Sequence, residues 1–167
     1  METKAIGNRI LILGCPGSGK STLARALAAR TGLPLVHLDN IWWRADGTHI
    51  PREEFDRALD GLLRGEQWIL DGDYSRTYEV RIRACDTAIF LDYPEDVCMA
   101  GIIARVGQDR PDMPWTEGTL DPELVAQVQS YRRGQRPQVL SLLQRYPDKQ
   151  SLIFTGREEA ARWLSEL

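Results

Sequence analysis

The chain has 167 residues, which is enough to bury a core and points to one domain. Its composition, 43% apolar and 27% charged, is that of a soluble globular protein, and the net charge of −3 argues against a basic surface for nucleic acid or membrane. Three scattered cysteines form neither a disulfide framework nor a CxxC pair, no apolar run is long enough to span a bilayer, and Met1-Glu2-Thr3-Lys4 opens no signal peptide. A cytoplasmic location is therefore expected.

The first predicted element is a buried strand, Arg9-Ile10-Leu11-Ile12-Leu13. It runs into Gly14-Cys15-Pro16-Gly17-Ser18-Gly19-Lys20-Ser21, which fits G-x-x-x-x-G-K-[ST]. Ser21 to Arg30 is rich in helix formers, so strand, glycine loop and helix follow in the order the motif needs. Glycines let the backbone approach a ligand closely, and the N–H groups at a helix start favour phosphate. Gly14, Pro16, Gly17, Ser18, Gly19, Lys20, Ser21 and Thr22 are accordingly the candidate ATP-binding residues. Lys20 is assigned to the β- and γ-phosphates and Ser21 to Mg²⁺. Cys15 fits a small filler within the loop.

Thr31-Gly32-Leu33-Pro34 stops the helix, and Leu35 to Asp39 is expected to be a second strand ending on a carboxylate. Asn40 to Thr48 is aromatic and polar, with Trp42 and Trp43. A helix opens at Pro51 with an apolar face of Phe55, Leu59, Leu62 and Leu63. Gln67 to Asp71 is a third strand, again closing on an acid, and Ser75 is expected to cap a helix running through Arg83. Arg81 and Arg83 read as surface residues. Thr87 to Asp92 is the fourth strand, with Asp92 expected to cap the helix that starts at Pro94. Val106 to Leu120 breaks all periodicity, and a stretch of that kind is usually functional. A long helix is expected from Asp121 to about Arg145, bent near Gly134 and Pro137. Gln150 to Thr155 is the fifth strand and Glu158 to Leu167 the last helix. Strands alternating with helices imply an α/β fold whose parallel sheet is covered on both faces, with ligands at the carboxyl ends of the strands.

The phosphate loop, Leu35 to Asp39 with Trp42-Trp43, Trp68 to Ser75, Phe90-Leu91-Asp92 and Arg110-Pro111-Asp112 resemble the bacterial DNA-topology-modulation-type P-loop kinases. These are a branch of the adenylate-kinase and shikimate-kinase-like superfamily. The resemblance covers nearly the whole chain. It departs at Asp73, where Asn is usual, and after Asp112, where the usual Cys is missing and the stretch is shorter.

The resemblance implies a three-layer P-loop kinase fold with a five-stranded parallel sheet in the order 2-3-1-4-5. It also implies one domain over residues 1–167, with an acceptor-binding insert at 40–66 and a short lid at 106–121. Asp71 becomes the acid on the Mg²⁺ side, partly through water, and Asp39 the acid that contacts the acceptor as base or orienter, with a loop cap as its other reading. Arg105, Arg110 and Arg133 are the arginines expected to stabilise the transferring group, with Arg132 and Arg136 on the same helix as Arg133. Arg76 is assigned to a phosphate or carboxylate of the acceptor. Trp42, Trp43 and Tyr74 flank the acceptor, by stacking on a base or by capping the core beneath it. His37 reads as structural and His49 as exposed.

The activity expected is transfer of the γ-phosphoryl group of Mg·ATP to a small molecule, a nucleoside monophosphate in the first place. The alternative is a nucleotide-binding regulatory protein that affects DNA topology, against which the acidic balance counts. No membrane partner is expected, and assembly is left open between monomer and homodimer.

Overall fold

The computed structural model describes residues 5–167, so the expectation placed on Met1 to Lys4 lies outside the described residues. Five parallel strands form one sheet: β1 (Arg9–Gly14), β2 (Leu35–His37), β3 (Trp68–Asp71), β4 (Thr87–Leu91) and β5 (Gln150–Phe154). Their order is β2-β3-β1-β4-β5, as the resemblance implied. The central strand is apolar on both sides because helices cover both faces, and Ile10, Leu11, Ile12 and Leu13 are fully buried. Strand β5 lies at an edge and alternates between exposed and partly covered positions, so it is only partly shielded.

Helix α1 (Lys20–Thr31) leaves the phosphate loop and buries Leu23, Ala24 and Leu27. It ends at Gly32, whose left-handed backbone lets its N–H donate to Ala28 O. Helix α3 (Arg52–Leu63) buries Phe55, Leu59 and Leu63, close to the apolar face read from the sequence. Three further helices are α4 (Tyr78–Ala84), α5 (Glu95–Ala104) and α8 (Arg157–Ser165). No described helix is long and apolar enough to cross a membrane, and all three cysteines are free and buried.

The elements differ from the sequence expectations in four places. Strand β2 ends at His37, and Leu38–Trp42 forms a short helix, α2, with Asp39 in its first turn and not at a strand end. Ser75 makes no capping bond: Ser75–Thr77 is a 3-10 turn that leads into α4. The expected long helix is two helices, α6 (Pro122–Ser130) and α7 (Gln135–Arg145). Pro137 has no N–H to give to Arg133 O, so a continuous helix is blocked, whereas near the start of α7 the missing donor costs little. Finally, Asp92 does not cap α5, because both its oxygens accept from Arg136, at 2.7 and 3.0 Å.

Candidate active site

The phosphate loop joins β1 to α1 and is held in shape from both sides. Within it, Ser18 N–H donates to Cys15 O at 3.0 Å. Gly17 has φ +82°, and a Cβ there would lie 2.1 Å from Cys98 O of α5. A Cβ on Gly101 would likewise lie 2.0 Å from Gly17 O, so loop and helix meet backbone to backbone. Arg157, at the start of α8, donates to Ser18 O and Gly17 O at 3.0 Å each and lies 5.6 Å over the Tyr93 ring. Lys20 Nζ donates to Gly14 O and Cys15 O. The first N–H groups of α1 have no acceptor within the helix and carry its positive partial charge. Cys15 is buried against Cys98, and that contact together with burial pushes its thiol upward, as suits a filler and not a nucleophile.

This loop floors a cavity of about 760 Å³ at the carboxyl edge of the sheet. Of the residues expected to bind nucleotide, Pro16, Gly17, Gly19, Lys20, Ser21 and Thr22 line it. Gly14 and Ser18 are buried beneath, and a Cβ on Gly14 would press on Ser18 Oγ at 2.8 Å. Of the other expected site residues, Asp39, Trp43, Asp71, Tyr74, Arg105 and Arg110 also face the cavity.

Two acids stand opposite the loop. Asp71 closes β3, next to Ile12 of β1 and His37 of β2 in the sheet register. His37 Nδ1 lies 2.8 Å from Asp71 Oδ1, which gives the buried histidine its structural role. Asp71 Oδ2 is buried without a hydrogen-bond partner among the described residues. Such a carboxylate oxygen normally has a ligand, and with Ser21 on the same cavity the donor set fits a hydrated Mg²⁺. Asp39 Oδ1 accepts from Tyr74 O–H at 2.6 Å. Burial holds the Asp39 carboxyl above its ordinary range, against the lowering effect of that hydrogen bond and of Lys20.

Tyr74 reaches Asp39 from a left-handed backbone, φ 49°, and Arg81 holds that backbone. Arg81 is 0% exposed, contrary to the surface position expected for it. It donates to Gly72 O at 3.0 Å, Tyr74 O at 3.3 Å and Thr77 Oγ1 at 3.0 Å, and also to Asp73 O. Burial pushes its pKa down to about 10. Asp73, the departure from the family pattern, accepts from Tyr78 O–H.

The arginines divide into two groups. Arg105 and Arg110 reach the cavity: Arg105 Nε lies 3.5 Å from Glu117, and Arg110 lies 3.4 Å from Asp112 and 3.8 Å from Glu117. Arg76 and Arg133 do not reach it. Arg76 forms a two-pronged pair with Asp56 at 2.8 and 3.0 Å outside the main cavity. Arg133 is exposed in the turn between α6 and α7, and Arg136 is taken by Asp92. Both expectations rested on one continuous helix and an inward-facing loop, and the break before α7 removes the first. The cavity residues that went unread in the sequence include Arg157, Glu117 and Trp115. Trp115 meets Trp43 edge to face with centroids 5.8 Å apart. An Arg opening the helix after the last strand was the available signal for Arg157, since that position sits at the ligand edge of the sheet.

A family model described as "ATPase family associated with various cellular activities (AAA)" matches residues 10–56. A shikimate kinase from Bradyrhizobium diazoefficiens is 35% identical over 136 residues, covering 71% of this chain and 62% of that one. The chain thus spans less than two thirds of that relative's length. Among solved structures, the shikimate kinase from Acinetobacter baumannii in complex with shikimate superposes with a TM-score of 0.64 at 16% identity, over 96% of this chain and 90% of that one. A sugar kinase from Janibacter sp. gives a TM-score of 0.56 at 20% identity, over 96% and 91%. The chain has the P-loop kinase fold. Within that fold the glycine loop, the strand-end Asp71 and the irregular stretch with Arg105 and Arg110 all border one cavity.

Proposed function

We propose that the chain transfers the γ-phosphoryl group of ATP to a hydroxyl of a small molecule. The observation that carries this is the unpartnered Asp71 Oδ2, buried on the wall of the cavity that the phosphate loop floors and Asp39 borders. Relatives named shikimate kinase and sugar kinase support the reaction class. The loop N–H groups and Lys20 bind the β- and γ-phosphates. Ser21 and Asp71 hold Mg²⁺, the latter partly through water, and the ion when bound neutralises charge on the phosphates.

Asp39 orients the acceptor hydroxyl and takes its proton, a role that its raised pKa suits. Arg105 and Arg110 offset charge on the equatorial oxygens during transfer. Residues 106–121 act as the lid that excludes water, and residues 40–66 carry the acceptor side. The contact of Asn40 Nδ2 with Pro111 O at 2.8 Å, with the Trp43–Trp115 pair, ties these two segments together. For a nucleoside monophosphate acceptor the support is the aromatic wall alone, since the arginine assigned to its phosphate, Arg76, is paired with Asp56.

The test is steady-state ADP formation from Mg·ATP across a panel of hydroxyl compounds, with shikimate and nucleotides included. Acceptor-dependent ADP release that Lys20→Ala abolishes is the expected result. Equal turnover in that variant defeats the assignment of the loop.

A further inference from the structure

The carbonyl side of the phosphate loop carries a cation of its own. Arg157 opens α8, and its guanidinium donates from Nη1 to Ser18 O and from Nη2 to Gly17 O at 3.0 Å each. Its Cζ lies 5.6 Å over the ring of the buried Tyr93. The fit to the loop is close, because a Cβ on Gly19 would lie 2.9 Å from Nη1. A cation in the first turn of a helix stands at the positive end of the dipole, where acids such as Glu158 and Glu159 are the favoured type. Arg157 therefore does nothing for α8 itself, and its polar partners lie in the loop.

Those partners belong to two successive peptide groups, Gly17–Ser18 and Ser18–Gly19. In a trans peptide the C=O and the N–H point opposite ways, so a guanidinium on the carbonyls leaves both N–H groups on the far side. Ser18 N–H turns back to Cys15 O at 3.0 Å and tightens the loop. Gly19 N–H has no acceptor among the described residues, and Gly19 lines the cavity. A positive charge at the carbonyl end of a peptide group polarises it and makes the N–H at the other end a stronger donor. It also offsets the partial negative charge of two carbonyls beside a polyphosphate.

We infer that Arg157 is a positioning residue for the polyphosphate. It sets the shape and the polarity of the loop from the carbonyl side, and so raises affinity for the phosphates without touching the base, the ribose or the acceptor. The inference rests on the phosphotransferase reading above, of which it needs only the assignment of the loop.

The test is calorimetric titration of the whole chain with Mg·ADP, followed by displacement of the bound Mg·ADP with Mg·pyrophosphate, which offers phosphates without a base or ribose. Arg157→Gln, which keeps a donor and loses the charge, should weaken both ligands by about tenfold or more, and by the same factor. Arg157→Lys, which keeps the charge but offers no fork, should fall between Arg157→Gln and the unaltered chain for both ligands. Thermal melts without nucleotide check that each variant is folded. If Arg157→Gln melts below the assay temperature, Arg157→Lys carries the test, with an equal loss for both ligands expected. Unchanged affinities overturn the inference. A loss confined to Mg·ADP does so too, since it would place Arg157 on the base or ribose, and so does a loss that Arg157→Lys leaves as large as Arg157→Gln, since packing would then explain it. Failure of the unaltered chain to bind Mg·ADP or Mg·pyrophosphate would instead fall on the phosphotransferase reading, so the two failures are distinguishable.

Discussion

His37 and Asp71 sit side by side in the β2–β3 register, and their side chains meet at 2.8 Å with both residues buried. The contact uses one carboxylate oxygen and leaves Oδ2 buried, without a partner among the described residues. A group that orients a metal-side carboxylate typically governs metal affinity by about tenfold or more. His37→Ala is therefore expected to raise the Mg²⁺ concentration for half-maximal turnover by about tenfold while ATP still binds. A Mg²⁺ titration of initial rates checks this, and an unchanged midpoint would make the histidine a packing residue only.

Asp39 must be ionised to accept a proton, and its folded pKa lies above the ordinary 3.8, chiefly through burial. Turnover should accordingly fall as pH drops through a limb that lies above the usual carboxylate range. The hydrogen bond from Tyr74 lowers that pKa, so Tyr74→Phe should move the limb to higher pH. The sign for stability is the reverse of the common carboxylate case. Because the folded pKa is raised, Asp39 contributes stability below its unfolded pKa that is lost as pH rises through its folded pKa. Asp39→Asn should then remove turnover without lowering Tm at neutral pH. A pH–rate profile with parallel thermal melts reads both effects, and a limb moving downward in Tyr74→Phe would contradict the assignment.

Arg81 donates to three backbone carbonyls, of which Tyr74 O also accepts from the N–H and the hydroxyl of Thr77. Stranding a buried acceptor costs roughly 1–3 kcal/mol. Arg81→Met should lower stability by about 3 kcal/mol or more, or roughly 6–12 °C in Tm at 2–4 °C per kcal/mol. Arg81→Lys should recover part of it. Thermal melts decide the matter, and a loss under about 1 kcal/mol would show that the Gly72–Tyr74 turn holds itself.

The phosphate loop, the five strands and Asp71 at the end of β3 were legible because each rests on local pattern. Glycine spacing, apolar runs and turn residues lie within a few positions of one another. Residues whose partners are remote in sequence were not legible. Arg76 finds Asp56 at a separation of 20, Arg136 finds Asp92 at 44, and Arg157 finds Ser18 at 139. Nothing local distinguishes an arginine that meets phosphate from one already neutralised.

Arg81 is the exception, because a signal existed. Tyr78, Arg81 and Ile82 fall at i, i+3 and i+4, one face of α4, whereas Arg83 falls on the other and is exposed. Asp39 was read onto a strand because Leu35 to Leu38 looks extended. The chain instead turns into α2 there, which carries the acid inward to Tyr74.

The most direct measurement is transfer of label from γ-³²P-ATP, with Mg²⁺ present, to a panel of hydroxyl compounds by the unaltered chain and by Lys20→Ala. Labelled product from the unaltered chain, falling by at least a hundredfold in the variant, is the predicted result. Calorimetric uptake of neither adenine nor guanine triphosphate by the unaltered chain, with no labelled product from any compound, would contradict the account.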